Sequence, residues 1–246
     1  NRFLRGDYPL RNHSASHDIL LKPAVSEGST GGLAEGNKFF LTAPVMVMND
    51  NPPESILMSY TYDPYWQQRI ADTFSCALNA YTRLLALRVD LRLPDTPAAT
   101  DAAVISRFTD SLKARIDALQ TRQRREGKRV WPTTLRFIWA REFGEIKGKK
   151  HYHAVLLLNR DTWCGPGDYK DPDSLAGMIK QAWCSALKVD AQAHAVLARF
   201  PASPVSWLTR GDGAQLQQAL SQAAYLAKLE TKITGDGERN FGCSRG

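Results

Sequence analysis

The sequence predicts an α+β fold, a mainly antiparallel sheet flanked by helices. Two observations carry that reading. Segments with apolar residues at steps of three and four alternate with short runs that are apolar at every second position or throughout. Two of those runs are neighbours, joined across Lys147-Gly148, a dipeptide suited to a hairpin turn. The chain carries no internal repeat that would point to a solenoid instead.

Residues 1–64 read as a loosely structured extension, with a Gly/Ser-rich stretch and an Asn-Asp-Asn-Pro-Pro run. His13 and His17 fall there as loop residues, and residues 39–48 as a strand or docking segment. Regular patterning begins at residue 65 and continues to 246. Residues 67–83 read as a helix, and 84–93 as a strand that Pro94 ends. Residues 98–125 form a long helix with the apolar stripe Val104, Phe108, Leu112, Ile116 and Leu119, and a basic exit. Residues 133–144 and 149–158 are the two hairpin strands. A helix follows over 173–187, short strands over 194–200 and 205–209, and a last helix over 213–231. A Gly-rich tail with arginines starts at 235.

The chain's 246 residues, 43% of them hydrophobic, suffice for one sizeable core. A net charge of +7 favours a polyanionic partner. Four cysteines, far apart and without a C-x-x-C, argue against a structural zinc site or a disulfide framework. No stretch reads as a signal peptide, and the longest apolar run is too short to span a bilayer. The expectation is a soluble, cytoplasmic protein.

His151 and His153 stand two apart, so in a strand both point to one face. Residues 154–158 are apolar on both faces, which marks a central strand. A two-residue turn at Lys147-Gly148 pairs Ile146 with Lys149, Glu145 with Lys150, and Glu142 with His153. Opposed residues share a face and sit about 5 Å apart, so Glu142 joins the two histidines. Two imidazoles and a carboxylate with open positions suit Mg²⁺ or Mn²⁺ acting on phosphate oxygens, and Zn²⁺ chemically as well. Taken alone, such a trio is a set of solvated strand-end side chains; the tyrosine downstream favours the ligand reading.

On the last helix Leu216, Leu220, Ala223 and Ala227 form one apolar stripe. Tyr225 falls roughly opposite, with Lys228 and Lys232 on its side. A large aromatic that the core does not need, flanked by lysines, suits a nucleophile whose phenolate a cation would favour. The plainer alternative is an exposed or interface tyrosine among solvated lysines.

H-x-H with a hydrophobic residue between, followed by Tyr225-Leu226-Ala227-Lys228, resembles the HUH endonucleases: rolling-circle replication initiators, relaxases and related transposases. More closely, the chain resembles the inovirus gene-two-type replication family, also called YagK/YfjJ-like. The resemblance rests on Arg88 to Pro94, Trp139 to Glu142, Lys150 to Asn159, Tyr225 to Lys232 and Arg239 to Arg245, in that order.

It implies an RRM-like central antiparallel sheet flanked by helices in a nuclease domain over 65–246, with the strand at 84–93 beside the histidine strand. It implies that His151 and His153, which the hairpin register joins with Glu142, hold a divalent metal, Mg²⁺ or Mn²⁺. Tyr225 would attack the scissile phosphate, with Lys228 assisting. It implies a single-tyrosine enzyme. Asp90 is either a further acid of the site or a partner of Arg88 or Arg92.

The expected function is site-specific nicking and rejoining of single-stranded DNA through a 5′-phosphotyrosine, initiating rolling-circle replication of a phage or mobile element. Arg122, Arg124, Arg125, Lys147, Lys149, Lys150 and Lys232 would grip the backbone. Expected partners are single-stranded or hairpin origin DNA and host helicase and polymerase, in the bacterial cytoplasm. Alternatives are a mobilisation relaxase or single-strand transposase of the same superfamily, and, in another class, a non-catalytic origin-binding or RNA-binding protein.

Overall fold

The computed structural model describes residues 60–144 and 148–244. The expectations for residues 1–59, His13, His17 and the 39–48 segment included, lie outside the described residues, as does Lys147. Helix α1 (Pro64–Ala80) is started by Asp63, whose carboxylate accepts from the Trp66 N–H, and by Pro64 in its first turn. Strand β1 (Arg83–Arg92) follows, then α2 (Val104–Arg125), β2 (Arg136–Phe143), β3 (Lys150–Asn159) and α3 (Leu175–Leu187). The sequence reads each of these elements, with α2 starting six residues later than expected, at Val104 and not at 98. Over 194–200, however, only β4 (Ala198–Arg199) is strand; α4 (Ala191–His194) and a 3₁₀ turn (Ala195–Leu197) occupy the rest. Strand β5 (Val205–Thr209), α5 (Gly213–Ala223), a second 3₁₀ turn (Ala224–Ala227) and β6 (Phe241–Cys243) complete the chain.

One antiparallel sheet has the order β4-β1-β3-β2-β6, with β5 also beside β1. The run β1-α2-β2-β3-α3-β4 with that order is the split βαβ arrangement of ferredoxin-like and RRM-like sheets. Strand β3 is central, as its two-sided apolar run requires. Helices α2 and α3 cover one face: Leu87, Val89, Tyr152 and Leu156 meet Phe108, Leu112, Ile179 and Trp183 there. Helix α1, α5 and the second 3₁₀ turn cover the other: Ala86, Ile138, Val155 and Leu157 meet Phe74, Ala223 and Leu226. Among the described residues, no helix is long and apolar enough to cross a membrane.

The hairpin register differs from expectation. Glu142 stands opposite His151, and Ala140 opposite His153; Phe143, not Glu145, faces Lys150. The Gly144 N–H donates to Lys149 O at 3.0 Å, closing a four-residue loop rather than a two-residue turn. The slip is two residues, so the face of every side chain is preserved.

Candidate active site

The sheet face under α1 and α5 collects alternate residues of three strands. Arg88, Asp90 and Arg92 come from β1, Glu142 from β2, and His151 and His153 from β3. Asp90 pairs in register with His153. Strand alternation puts this row in line with the core positions Ala86, Val155 and Leu157, at the end of the sheet where that core stops.

His151 Nε2 and His153 Nε2 stand 3.2 Å apart. Glu142 Oε2 is 3.7 Å from His153 Nε2. One donor atom from each of the three residues fits within 4.8 Å of the others. Ligands about 2.0–2.2 Å from a shared ion have such spacings, so the donor set fits a small divalent cation. Asp90 Oδ1 lies 2.6 Å from His153 Nδ1 and 3.3 Å from Arg88 Nε. It thus orients the imidazole from behind, as carboxylates do for ligating histidines. Asp90 thus contacts His153 and pairs with Arg88 at the same time.

Burial pushes the Asp90 and Glu142 carboxyls up. Hydrogen bonds and charge from His153 and Arg88 outweigh this for Asp90, and Lys232 and His153 do so for Glu142, so both lie below the ordinary range. Burial lowers His151. A cavity of about 670 Å³, lined by Asp90, Arg92, Asp95, Lys149, His151 and His153 among others, opens onto the cluster.

Tyr225 departs from its expected setting. The helix ends at Ala223 and tightens to 3₁₀, so the α-helical wheel no longer applies. The ring packs inward on the sheet instead of standing on a polar surface. It meets His153 edge to face at 5.5 Å between centroids, and the Arg88 guanidinium lies 4.3 Å over it. Its hydroxyl is buried with no hydrogen-bond partner. Burial raises its pKa well above the ordinary value; Arg88 opposes the rise, while Asp90 and Glu142 add to it.

The lysines also differ. The Lys232 side chain is 1% exposed and donates to Glu142 Oε1 at 2.7 Å. It is therefore the counterion of a site carboxylate and not a backbone grip. Burial lowers its pKa, and the Glu142 bond offsets part of that. Lys228 holds its Nζ 4.5 Å over the Tyr60 ring, and its backbone bridges Tyr62. Arg88 is the cation at Tyr225.

Among the expected DNA contacts, Arg122, Arg124 and Arg125 end α2, which covers the opposite face; Arg122 pairs with Asp173 at 2.6 Å. Lys150 is bound by Thr100 O and Glu238, and Lys149 pairs with Asp95. Strand β1 itself brings two cations, Arg88 and Arg92, to the face of the site. Their signal was present in the sequence, since Arg88-x-Asp90-x-Arg92 has the same period of two as the histidine pair.

Fold and site together define a class: an antiparallel-sheet α+β protein presenting two histidines, a glutamate and a tyrosine on one sheet face. The chain belongs to the YagK/YfjJ family, whose C-terminal domain matches residues 51–244. It is 39% identical over 193 residues to YagK of Escherichia coli (strain K12), covering 73% of this chain and 92% of that one. It is 34% identical over 198 residues to YfjJ of the same organism, covering 74% and 94%. Both relatives are described as uncharacterized, so they supply a family and no activity. No solved structure matches the chain.

Proposed function

We propose that the chain is a metal-dependent, tyrosine-nucleophile endonuclease of the HUH superfamily. It nicks and rejoins single-stranded or hairpin origin DNA to start rolling-circle replication of a phage or mobile element. One observation carries the reading: Tyr225 packs against His153 of the His151/His153/Glu142 set. The histidine–glutamate cluster and Tyr225, remote in sequence, lie side by side on one sheet face. The net charge of +7 suits the substrate.

Mg²⁺ or Mn²⁺ bound at His151, His153 and Glu142 would polarise a non-bridging oxygen of the scissile phosphate. Asp90 fixes His153 so that Nε2 faces the site. Lys232 takes one oxygen of Glu142 and leaves the other towards the histidines. Arg88 brings positive charge to the nucleophile's side, where charge is transferred.

The Tyr225 oxygen bonds to phosphorus as the bond from phosphorus to the 3′-oxygen breaks. The phenol loses a proton and the 3′-oxygen gains one, leaving a 3′-hydroxyl and a 5′-phosphotyrosine. That hydroxyl primes synthesis, or attacks the phosphotyrosine in the reverse sense and reseals the strand. A relaxase or single-strand transposase would use the same steps.

The test is an SDS-resistant protein–DNA adduct on an origin oligonucleotide with Mn²⁺, with the linked peptide identified by mass spectrometry. The adduct is expected on Tyr225 and absent in Tyr225→Phe; an undiminished adduct in that variant removes the assigned nucleophile. Two observations favour a second reading, a non-catalytic origin-binding or RNA-binding protein. The Tyr225 hydroxyl is buried, and Glu142 already holds a counterion. Binding without an adduct in any metal is the outcome that reading requires.

A further inference from the structure

The edge of the sheet beside Tyr225 is broken in a way the reaction does not require. Strand β4 pairs with Asp90 and Leu91, and β5 resumes pairing at Leu87. Residues 200–204 therefore stand opposite only Arg88 and Val89, and the surplus chain bulges out. Its sequence explains the break, because Pro201 and Pro204 lack the N–H that a ladder needs. The Arg88 N–H still donates to Pro204 O at 2.8 Å, so the bulge is tied down at its far end.

Beneath the bulge lies a cavity of about 550 Å³. Phe74, Ala86, Val155 and Ala219 supply apolar walls. Arg88 and Tyr225 line it too, so the cavity adjoins the candidate active site. Its polar groups are few: Ser203, Ser206 and Gln222 besides those two. Ser206 Oγ donates to Gln222 Oε1 at 2.8 Å, which orients the amide and leaves its Nε2 hydrogens for another acceptor. No carboxylate lines the cavity.

An apolar chamber of a few hundred Å³ with a small number of oriented polar groups is the usual form of a small-ligand pocket. A nucleobase has the matching chemistry: apolar faces, a hydrogen-bonding edge, and a charged phosphate that must stay outside. Here Arg88 and Tyr225 stand in the wall that the cavity shares with the candidate site. We infer that this cavity receives one unstacked base of the single strand whose phosphate reaches Tyr225, with Gln222 reading its edge. The choice of DNA rests on the nicking reading; the pocket itself rests on the bulge and its walls.

Two variants fill the cavity from the exposed bulge without touching the ligands, Ala202→Trp and Ser203→Phe. The full chain and each variant select from a pool of single-stranded DNA with randomised positions. The parent is expected to enrich one base at one position and to bind an oligonucleotide abasic there about tenfold more weakly. The filled variants should bind the abasic and intact oligonucleotides equally, with unchanged melting temperatures, and Gln222→Ala should relax the preferred base. Filled variants that keep the parent's preference overturn the proposal, as does a parent that prefers no base anywhere. SDS-resistant adducts are scored in parallel. A pocket-dependent preference without adducts sinks the nicking reading alone; adducts with a preference indifferent to filling sink the pocket alone.

Discussion

Glu142 answers to two demands. One oxygen binds Lys232 and the other faces the histidines, and the side chain is 6% exposed. A buried pair is costly to break from one side, because the remaining charge loses both water and partner. Lys232→Met should destabilise the fold by about 3–5 kcal/mol, and Lys232→Met with Glu142→Gln should recover most of it. Urea denaturation of the single and double variants measures this; a double variant as weak as the single would deny the pair its role. Asp90 was expected near the histidines only through the family resemblance, which sets its strand beside theirs. Its bond to His153 was not, since that needs the β1–β3 register. Asp90→Ala should weaken Mn²⁺ binding about 10–100-fold by isothermal titration, having removed the group that holds the imidazole.

At the scale of elements, the hairpin reading survived an error that the last-helix reading did not. The hairpin loop was misjudged by two residues, and Glu142 still reached the right face because strand periodicity is two. For Tyr225 the inference ran along a helix continuing to 231, and the change to 3₁₀ at Ala224 turned the ring inward. Nothing in apolar spacing announces that change.

The sequence reads as helix to 231 and as a Gly-rich tail from 235, yet the chain after Lys228 wraps the β2 edge. The Phe143 N–H donates to Thr231 O, β6 pairs with β2, and Arg141, 1% exposed, binds Asp236, Glu238 and Asn240. Gly242 permits the approach, since a Cβ there would come within 2.6 Å of the Trp139 ring. This strap brings Lys232 to Glu142. Arg141 and the Glu238 N–H hold Asp236 down at about 2 from an ordinary 3.8. A carboxylate lowered on folding stabilises above its unfolded value and ceases to as pH falls through its folded one. The strap should therefore be fully held above about pH 4 and loosen towards pH 2. Faster amide exchange at Asn240 and Phe241 over that window is the expected sign; exchange that is no faster at pH 2 than at pH 5, once corrected for the intrinsic rate, would reject the clamp.

For the whole molecule, the sheet divides labour between its faces. The α2–α3 face is a dense apolar core, while the α1–α5 face gives way at one end to the histidine, carboxylate and arginine row. That division is why Arg122, Arg124 and Arg125, conspicuous as a basic run, lie away from the site, and why the less conspicuous Arg88 lies in it. Antiparallel order and the flanking helices could be read from periodicity; which face each helix covers depends on the crossover connections, which periodicity does not carry. The ligand set also joins two strands and, through Asp90, a third, so a cation that binds it must favour the folded sheet. A ligand at a hundred times its dissociation constant adds about 2.7 kcal/mol. For a unit of this size that corresponds to a rise of roughly 5–11 °C in melting temperature. Calorimetry with and without saturating Mn²⁺ should find that rise in the parent chain, reversed by a chelator. Tyr225→Phe should keep it, because the hydroxyl is not a member of the ligand set. His151→Ala with His153→Ala should lose it, and an equal rise in that variant would move the cation elsewhere in the protein.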